Sequence, residues 1–361
     1  MSAQLTHKHP RWLHSKPSDF NGSGQTSLVD REDLPDLGLP RVVLLDGHLQ
    51  RHLSDEVEGI RVVPLDEPDD VIQAHLGKAL DDDEVAAAFE AQGALLDFKA
   101  DATVHLIHLC HGDSQARVLV HARDNATATL VQHIVGNGTQ RILTELQAHQ
   151  GATLRRDLIQ ETAGKVLHMT FTSCDRDATI SDVHLDLDGV QRRNTTISRL
   201  DGAGSHVDLH GLYLTAADQR TDHWTRVDHA VPDTTSREMY KGVLTGKSRG
   251  SFTGNVLVRK DAQRTNAEQE NRNLLLSRKA LAESTPQLEI FADDVQCAHG
   301  STVGQLDEKA LFFLRARGIG KRDAEQILTQ AFAGEVVDAI HHDAVRKHVM
   351  ARIETWFEAS T

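Results

Sequence analysis

The stretch RDNATATLV, residues 123–131, joins a polar turn to a small residue and then to a strand with alternating side chains. Four similar stretches occur, KADATVHLI (99–107), HQGATLRRDL (149–158), DRDATISDV (175–183) and DGAGSHVDL (201–209). Their small residues, Ala102, Ala126, Ala152, Ala178 and Ala203, are separated by 24, 26, 26 and 25 residues. A nearly fixed period of this length is typical of stacked structural repeats.

The pattern inside each repeat favours strands over helices. TATLVQHIV (127–135) and TISDVHLDLDG (179–189) alternate as strands do and lack the spacing of about 3.6 residues that helical repeats show. Two or three strands per repeat, each hydrogen bonded to its copy in the next coil, form a parallel β-helix. The predicted fold class is therefore mainly β: a right-handed parallel β-helix core with a short N-terminal α/β region and a C-terminal helical domain. A further copy at Ala262, 59 residues after Ala203, would require a longer, irregular coil between them.

Changes of pattern divide the chain into four segments. Residues 1–36 are polar and predict a flexible lead-in, and 37–94 contain two strand-like stretches and an acidic, Ala-rich helix that ends near Gly93. Residues 95–303 are the predicted β-helix core, and 304–361 a helical domain whose first helix ends at Gly318. We expect this domain to cap the stack, because a last coil exposes unpaired strand edges.

The composition excludes several classes of function. The 53 acidic and 39 basic residues give a formal charge of -14, which repels the phosphates of nucleic acid and anionic lipid. The first thirty residues contain no apolar run that a signal peptide or membrane span requires, so we expect a cytoplasmic protein. The three cysteines, Cys110, Cys174 and Cys297, are far apart and odd in number, which predicts no disulfide framework.

The stretch DDVQCAHG (293–300) sets a thiol and an imidazole two positions apart. In a strand, Cys297 and His299 point to the same face, which would suit a metal site or a catalytic pair. The alternative is a histidine that shapes the turn before Gly300 and a buried cysteine, since free cysteine is among the most buried residue types. Taken alone, the residues favour this structural interpretation of His299.

A longer signature surrounds that pair. NVLVRKDAQRTNAEQENRNLLLS (255–277), PQLEIFADDVQCAHGSTVGQLDEKALFFLRARGI (286–319) and AEQILTQAFAGEVV (324–337) closely resemble the C-terminal part of the SufB/SufD family of iron–sulfur cluster assembly proteins. Within that family the form CAHGSTVGQLDE resembles SufD more than SufB, and weaker resemblance extends back to about Arg41.

The resemblance implies a β-helix scaffold subunit without catalytic activity of its own. It implies pairing with a SufB homologue through the β-helix and docking of a SufC-type ATPase, which would carry out the hydrolysis, on the C-terminal helices. His299 matches the histidine of the family's C-x-H-G motif, which implies a cluster ligand at the SufB interface, with Cys297 as a second candidate ligand. The surface expected to dock SufC comprises Leu311, Phe312, Leu314, Arg315, Gly318 and Ile319.

Several alternatives stay open at this point. A SufB-like chain would carry most cluster ligands itself, although three scattered thiols do not readily supply four ligands. A β-helix enzyme acting on carbohydrate would need clustered carboxylates on one exposed sheet, whereas the acids here lie mostly at turns. The sequence also leaves open flavin binding, as complexes of this family have been thought to show, and a homodimer when SufB is absent.

The other cysteines and histidines favour structural roles. In HLIHLCHG (105–112), strand alternation places His108 and Cys110 on one face and His105 and His111 on the other, so a metal site there would need a bulge. Cys110 and Cys174 are predicted to be core residues of the β-helix. The pair His341 and His342 is expected on a helix surface.

Overall fold

The computed structural model describes residues 20, 29–80, 85, 88–89 and 92–360. The flexible lead-in predicted for 1–36 and the helix predicted to end near Gly93 lie mostly outside these residues. Within them, Asp46 and Gly47 both have positive φ, 48° and 89°, and turn strand β1 (Arg41–Leu45) into β2 (His48–Leu49). This geometry suits a two-residue hairpin, as the Asp-Gly pair predicts.

Two long parallel sheets form the body of the protein. In sheet A the strand order is β19-β17-β15-β13-β11-β9-β7-β5-β1-β2, and in sheet B it is β18-β16-β14-β12-β10-β8-β6-β4-β3. From β4 onward, consecutive strands alternate between the sheets, so the chain winds as a two-sheeted solenoid of about eight coils. The predicted parallel β-helix is therefore confirmed. The remaining strands are β3 (Ile60–Pro64), β4 (Gly93–Phe98), β5 (Ala102–Cys110), β6 (Asp113–Ala122), β7 (Thr127–Gly136), β8 (Thr139–Ala148), β9 (Thr153–Thr162), β10 (Lys165–Cys174), β11 (Thr179–Asp188), β12 (Gln191–Leu200), β13 (His206–Thr215), β14 (Arg220–His229), β15 (Thr235–Leu244), β16 (Arg249–Val258), β17 (Thr265–Leu275), β18 (Leu281–Ile290) and β19 (Val295–Gly304).

Small residues occupy the corners, but not all of those that the repeat predicts. Ala126, Ala152 and Ala178 each close a turn onto the residue three positions earlier, just before β7, β9 and β11. Ala102 instead lies within β5, opposite Ala128, and Ser205 rather than Ala203 closes the equivalent turn before β13. Ser205 lies 27 residues after Ala178 because that coil is one residue longer than those before it, whereas Ala102 is two positions out of register with Ala126.

The copy at Ala262 needs no irregular coil before it. Thr235 on β15 pairs with His206 on β13 and with Asn266 on β17, which supplies a regular coil between Ala203 and Ala262. Apart from Ala230, the corner of this coil, residues 230–235, contains no alanine or glycine. The pattern of small residues therefore did not reveal the coil. The prediction of an irregular coil was wrong for that reason.

Both faces of the middle strands are buried, as expected for parallel sheets. On β9, Leu154 and Leu158 point into the solenoid, while Ile159 packs against the C-terminal helices outside. The interior also contains charge: Arg156, wholly buried, donates to Asp182 Oδ1 at 2.8 Å and Oδ2 at 2.6 Å. Burial alone would raise the pKa of Asp182, but Arg156 and His184 hold it well below its ordinary value.

The helices are α1 (Asp70–His75), α2 (Glu308–Arg315), α3 (Lys321–Asp338) and α4 (Asp343–Ser360) among the residues described. None of them is long and apolar enough to cross a membrane. Helices α3 and α4 pack on the outer face of sheet A over β11, β13 and β15, with Val336, Val345 and Val349 in the shared core.

The two ends of the solenoid differ. At the first end, β2 pairs antiparallel with β1, and β3 pairs antiparallel with β4, so short strands close both sheets. At the other end, β18 and β19 each have one neighbouring strand, and their side chains are mostly exposed. The prediction that the C-terminal helices cap the stack is therefore wrong. Their apolar residues pack instead against the outer face of sheet A.

Candidate functional site

The uncovered end coil, made of β18 and β19, is the candidate site. Each strand pairs on one side only, β18 with β16 and β19 with β17, which leaves a free edge of backbone donors and acceptors on each. Large apolar side chains are exposed around this coil: Leu281, Ile290, Phe291 and Val303. Unpaired strand edges beside exposed apolar groups are typical of a protein interface.

Cys297 and His299 lie in the mouth of this end coil. Cys297 stands opposite Ala267 and packs in the apolar cluster inside the last coils, so it points into the solenoid. His299 follows at the next position of the same face, about 6.7 Å farther along the strand. The sequence prediction that the two share a face is confirmed. A further coil would cover both side chains, but within the described chain His299 is exposed and Cys297 half-buried.

The thiol of Cys297 is not activated in the isolated chain. Burial raises the pKa of Cys297 above its ordinary value, and a backbone hydrogen bond from Ala267 only partly opposes this. A thiolate, the form that binds metal, therefore needs a further positive charge or a metal ion nearby. In a complex, a partner subunit or the metal itself would supply that charge.

The sequence analysis did not identify two residues that lie in register with His299 on the preceding strands of sheet A. Gln269 on β17 stands in register with His299 and is buried, and it donates to Oε2 of Glu238 on β15 at 2.5 Å. Burial raises the pKa of Glu238 to about 7, against an ordinary value near 4.5. The signal that could have revealed this column is its spacing: 238, 269 and 299 are 31 and 30 residues apart, the length of the late coils.

A second exposed surface lies on the C-terminal helices. Helix α2 contains no buried residue; Phe312 and Phe313 are 74% and 55% exposed, and Ile327 on α3 is exposed as well. Of the residues expected to dock SufC, Leu311, Leu314 and Ile319 are half-buried, whereas Phe312, Arg315 and Gly318 are exposed. Gly318 ends the helix with a φ of 86°, a value that favours glycine. The structure thus places these six residues together on and just after one helix.

The remaining cysteines and the histidine-rich stretch have structural positions. Cys110 and Cys174 are buried, as predicted, and burial raises the pKa of Cys110 to about 11. His108 points into the solenoid beside Gln132, while His105 lies on the opposite face and stacks on His133. His341 and His342 are not on a helix surface: they form the loop between α3 and α4 and bind the Asp157 carboxylate.

Comparison with known proteins adds a consistent set of similarities. Residues 106–332 match the family model described as SUF system FeS cluster assembly, SufBD core domain. The chain is 29% identical to the iron–sulfur cluster assembly protein SufD of Escherichia coli, across 96% of this chain and 88% of that protein. It is 28% identical to a SufBD family iron–sulfur cluster assembly protein of Synechocystis, across 94% and 84%, and 26% identical to SufD of Bacillus subtilis, across 66% and 56%.

Proposed function

Because the chain belongs to the SufBD family of iron–sulfur cluster assembly proteins, we propose that it is the SufD-like scaffold subunit of a SufBCD-type complex. In this proposal it pairs with a SufB homologue through the uncovered end coil and docks a SufC-type ATPase on α2. It performs no catalytic step itself. The uncovered end coil is the observation that best supports these partners and site residues.

The physical support for SufB pairing is the asymmetry of the two ends. Antiparallel strands close the first end of the solenoid, whereas β18 and β19 each keep one edge unpaired at the other end. Proteins usually protect such edges. An equivalent end coil of a sister solenoid would satisfy these backbone groups and cover Phe291 and Val303. A second copy of this chain would offer the same complement when SufB is absent.

Pairing of this kind would bury Cys297 and His299 at the joint. A thiolate and a neutral imidazole are suitable ligands for iron, and two ligands leave the coordination incomplete. The nascent cluster, as cargo, would therefore be shared with ligands of the sister subunit. Incomplete coordination on each chain would allow release when the interface rearranges.

The SufB-like alternative requires more ligands than this chain offers. Cys110 and Cys174 are sealed in the interior, so one half-buried thiol remains among the described residues. Iron and sulfide measured on the isolated chain, purified without oxygen, discriminate the two: a stoichiometric cluster on the chain alone would favour the SufB-like role.

The pairing is tested by co-expressing the chain with a SufB homologue. Val303→Asp places a charge on the mouth-facing side of β19, where Val303 is 48% exposed, and should reduce co-purification at least tenfold. The matched control is Val190→Asp, since Val190 is 54% exposed at a corner between β11 and β12. Equal recovery of SufB with both variants would contradict the proposed interface.

A further inference from the structure

Three histidines converge on the outer surface of sheet B, far from the uncovered end coil. His75 ends α1, His121 lies on β6, and His149 lies in the corner after β8. The ring centroids are 4.4 Å apart for His75 and His121, 5.1 Å for His75 and His149, and 4.5 Å for His121 and His149. One nitrogen from each ring falls within 4.8 Å of the others. We propose that these three histidines bind a divalent transition-metal ion, with Zn²⁺ as the ion that fits best.

Hydrogen bonds from outside the cluster fix two of the rings and the backbone of the third histidine. Nδ1 of His121 lies 3.0 Å from Oδ1 of Asp97, and Nδ1 of His149 lies 2.9 Å from Oδ2 of Asp175. The Gln147 side chain donates to the backbone carbonyl of His75 at 2.8 Å. Because ionised carboxylates only accept hydrogen bonds, Nδ1 is the donor in both rings, which leaves Nε2 as the nitrogen that can bind a metal. Carboxylates behind histidines in this way are typical of zinc sites.

At least one ring nitrogen of the cluster has no hydrogen-bond partner among the described residues. Nε2 of His149 is buried and makes no hydrogen bond within the described chain. A buried nitrogen without a partner carries a desolvation cost that a metal bond would remove. Two nitrogens bound to one tetrahedral zinc at about 2.1 Å lie about 3.4 Å apart, so small ring movements suffice to close the site.

The site has room for a fourth ligand. The three rings line an open pocket together with Lys99, Arg123 and Asp124. The Arg123 charge is neutralised by Asp97, to which its guanidinium donates at 2.9 and 2.8 Å. Lys99 is the remaining cation of this pocket, and it favours water, hydroxide or a small anion as the fourth ligand, which leaves an exchangeable position on the metal.

A second cluster, His133, Glu161 and His348, offers a contrast. There the Glu161 oxygens already bind His133, His348 and Arg352, at 3.3, 2.9 and 2.9 Å. An arginine that competes for the same carboxylate makes this cluster a salt-bridge network that fixes α4 to β9. We therefore place the metal at the first cluster.

Metal binding would join α1 to the solenoid, since His75 is the ligand from outside the sheet. Strand β8 is five strands from β18 in sheet B, about 24 Å at about 4.8 Å per strand. The site is therefore independent of the proposed SufB interface, and failure of either proposal leaves the other standing.

The test uses the full chain without a histidine tag, stripped with chelator and dialysed against Zn²⁺. We expect one zinc per chain, a tetrahedral spectrum with Co²⁺, and a higher melting temperature with Zn²⁺. His149→Ala should weaken zinc binding at least a hundredfold, and Asp175→Asn, which keeps all three ligands, about tenfold. His52→Ala, at an exposed histidine, and His348→Ala, in the second cluster, should bind as the unaltered chain does.

Less than one zinc per chain, or an octahedral Co²⁺ spectrum, would overturn the proposal. Loss of zinc in His348→Ala but not in His149→Ala would overturn it too and place the metal at the second cluster. His75→Ala separates loss of zinc binding from loss of folding, because His75 lies outside the solenoid. This variant should fold as the unaltered chain does but gain no thermal stability from Zn²⁺.

Discussion

The ring of His341 contacts the Asp157 carboxylate on β9, with Nδ1 2.7 Å from Oδ1. The backbone N–H groups of His341 and His342 also donate to this carboxylate, each at 3.1 Å, and Nε2 of His341 reaches Ser181 at 2.9 Å. One fully buried carboxylate thus fixes the loop that sets the direction of α3 and α4 on the solenoid. The exposed helix α2 is attached to the body through α3.

Asp157→Ala should therefore loosen the C-terminal helices. Removing the acceptor leaves two backbone N–H groups and Nδ1 of His341 without partners, and hydrogen bonds to a charged group contribute about 1.5–3 kcal/mol each when buried. We expect a loss of about 3 kcal/mol in the free energy of unfolding, measured by urea denaturation. The exposed Asp338→Ala should change it by less than about 0.5 kcal/mol. A similar small effect of both substitutions would show that the Asp157 contact does not stabilise the fold.

Much of the fold was predictable because the coil is repetitive. Backbone pairing between equivalent strands imposes a nearly constant length, and the Ala126, Ala152 and Ala178 corners expose that period in the sequence. The position of the helices was not predictable, because an amphipathic helix shows that it has an apolar face but not which surface covers it. Their docking depends on Asp157, whose partner at His341 is 184 residues away.

The candidate site, too, was predictable from the sequence only in part. That Cys297 and His299 share a face follows from strand alternation alone. That they occupy the mouth of an uncovered coil depends on the C-terminal helices packing against sheet A rather than over the last coil, which no local pattern indicates. Glu238 and Gln269 were missed because a buried acid and amide look like surface residues in a sequence.

The buried acid next to this site predicts a pH dependence of stability. Burial raises the pKa of Glu238 to about 7 in the folded protein, above the ordinary value of 4.5. The folded state thus holds a proton that the unfolded state loses, so Glu238 costs stability progressively as pH rises from about 4.5 to about 7. Above that range the cost is constant, at about 3 kcal/mol.

Glu238→Gln should remove this cost. The variant should gain about 3 kcal/mol relative to the unaltered chain at pH 8 and less than about 1 kcal/mol at pH 5, as measured by chemical denaturation at both values. Glu268→Gln, at an exposed glutamate one residue from Gln269, supplies the control and should show no such difference. A gain that is the same at pH 5 and pH 8 would mean that Glu238 is not protonated in the folded state.

The surface on α2 predicts loss of the ATPase partner on substitution. Phe312→Asp replaces a ring that is 74% exposed, so it should leave the fold intact and reduce co-purification with a SufC-type ATPase at least tenfold. Leu314→Asp should abolish co-purification while circular dichroism still shows the β-helix. Val190→Asp, on the solenoid corner, should retain the ATPase. Normal recovery of SufC with Phe312→Asp and Leu314→Asp would rule out α2 as its docking surface.

The role proposed for His299 is tested by the cluster recovered from the complex. His299→Ala removes an exposed imidazole and no described packing contact, so the complex with SufB and SufC should assemble normally. Iron and sulfide per complex after anaerobic expression should fall several-fold, because the cluster loses one ligand at the joint. Cys297→Ser should show a smaller or similar decrease, and His48→Ala, at an exposed histidine near the other end of the chain, none. Unchanged iron and sulfide in His299→Ala would remove this residue from the cluster site while leaving the strand-edge interface intact.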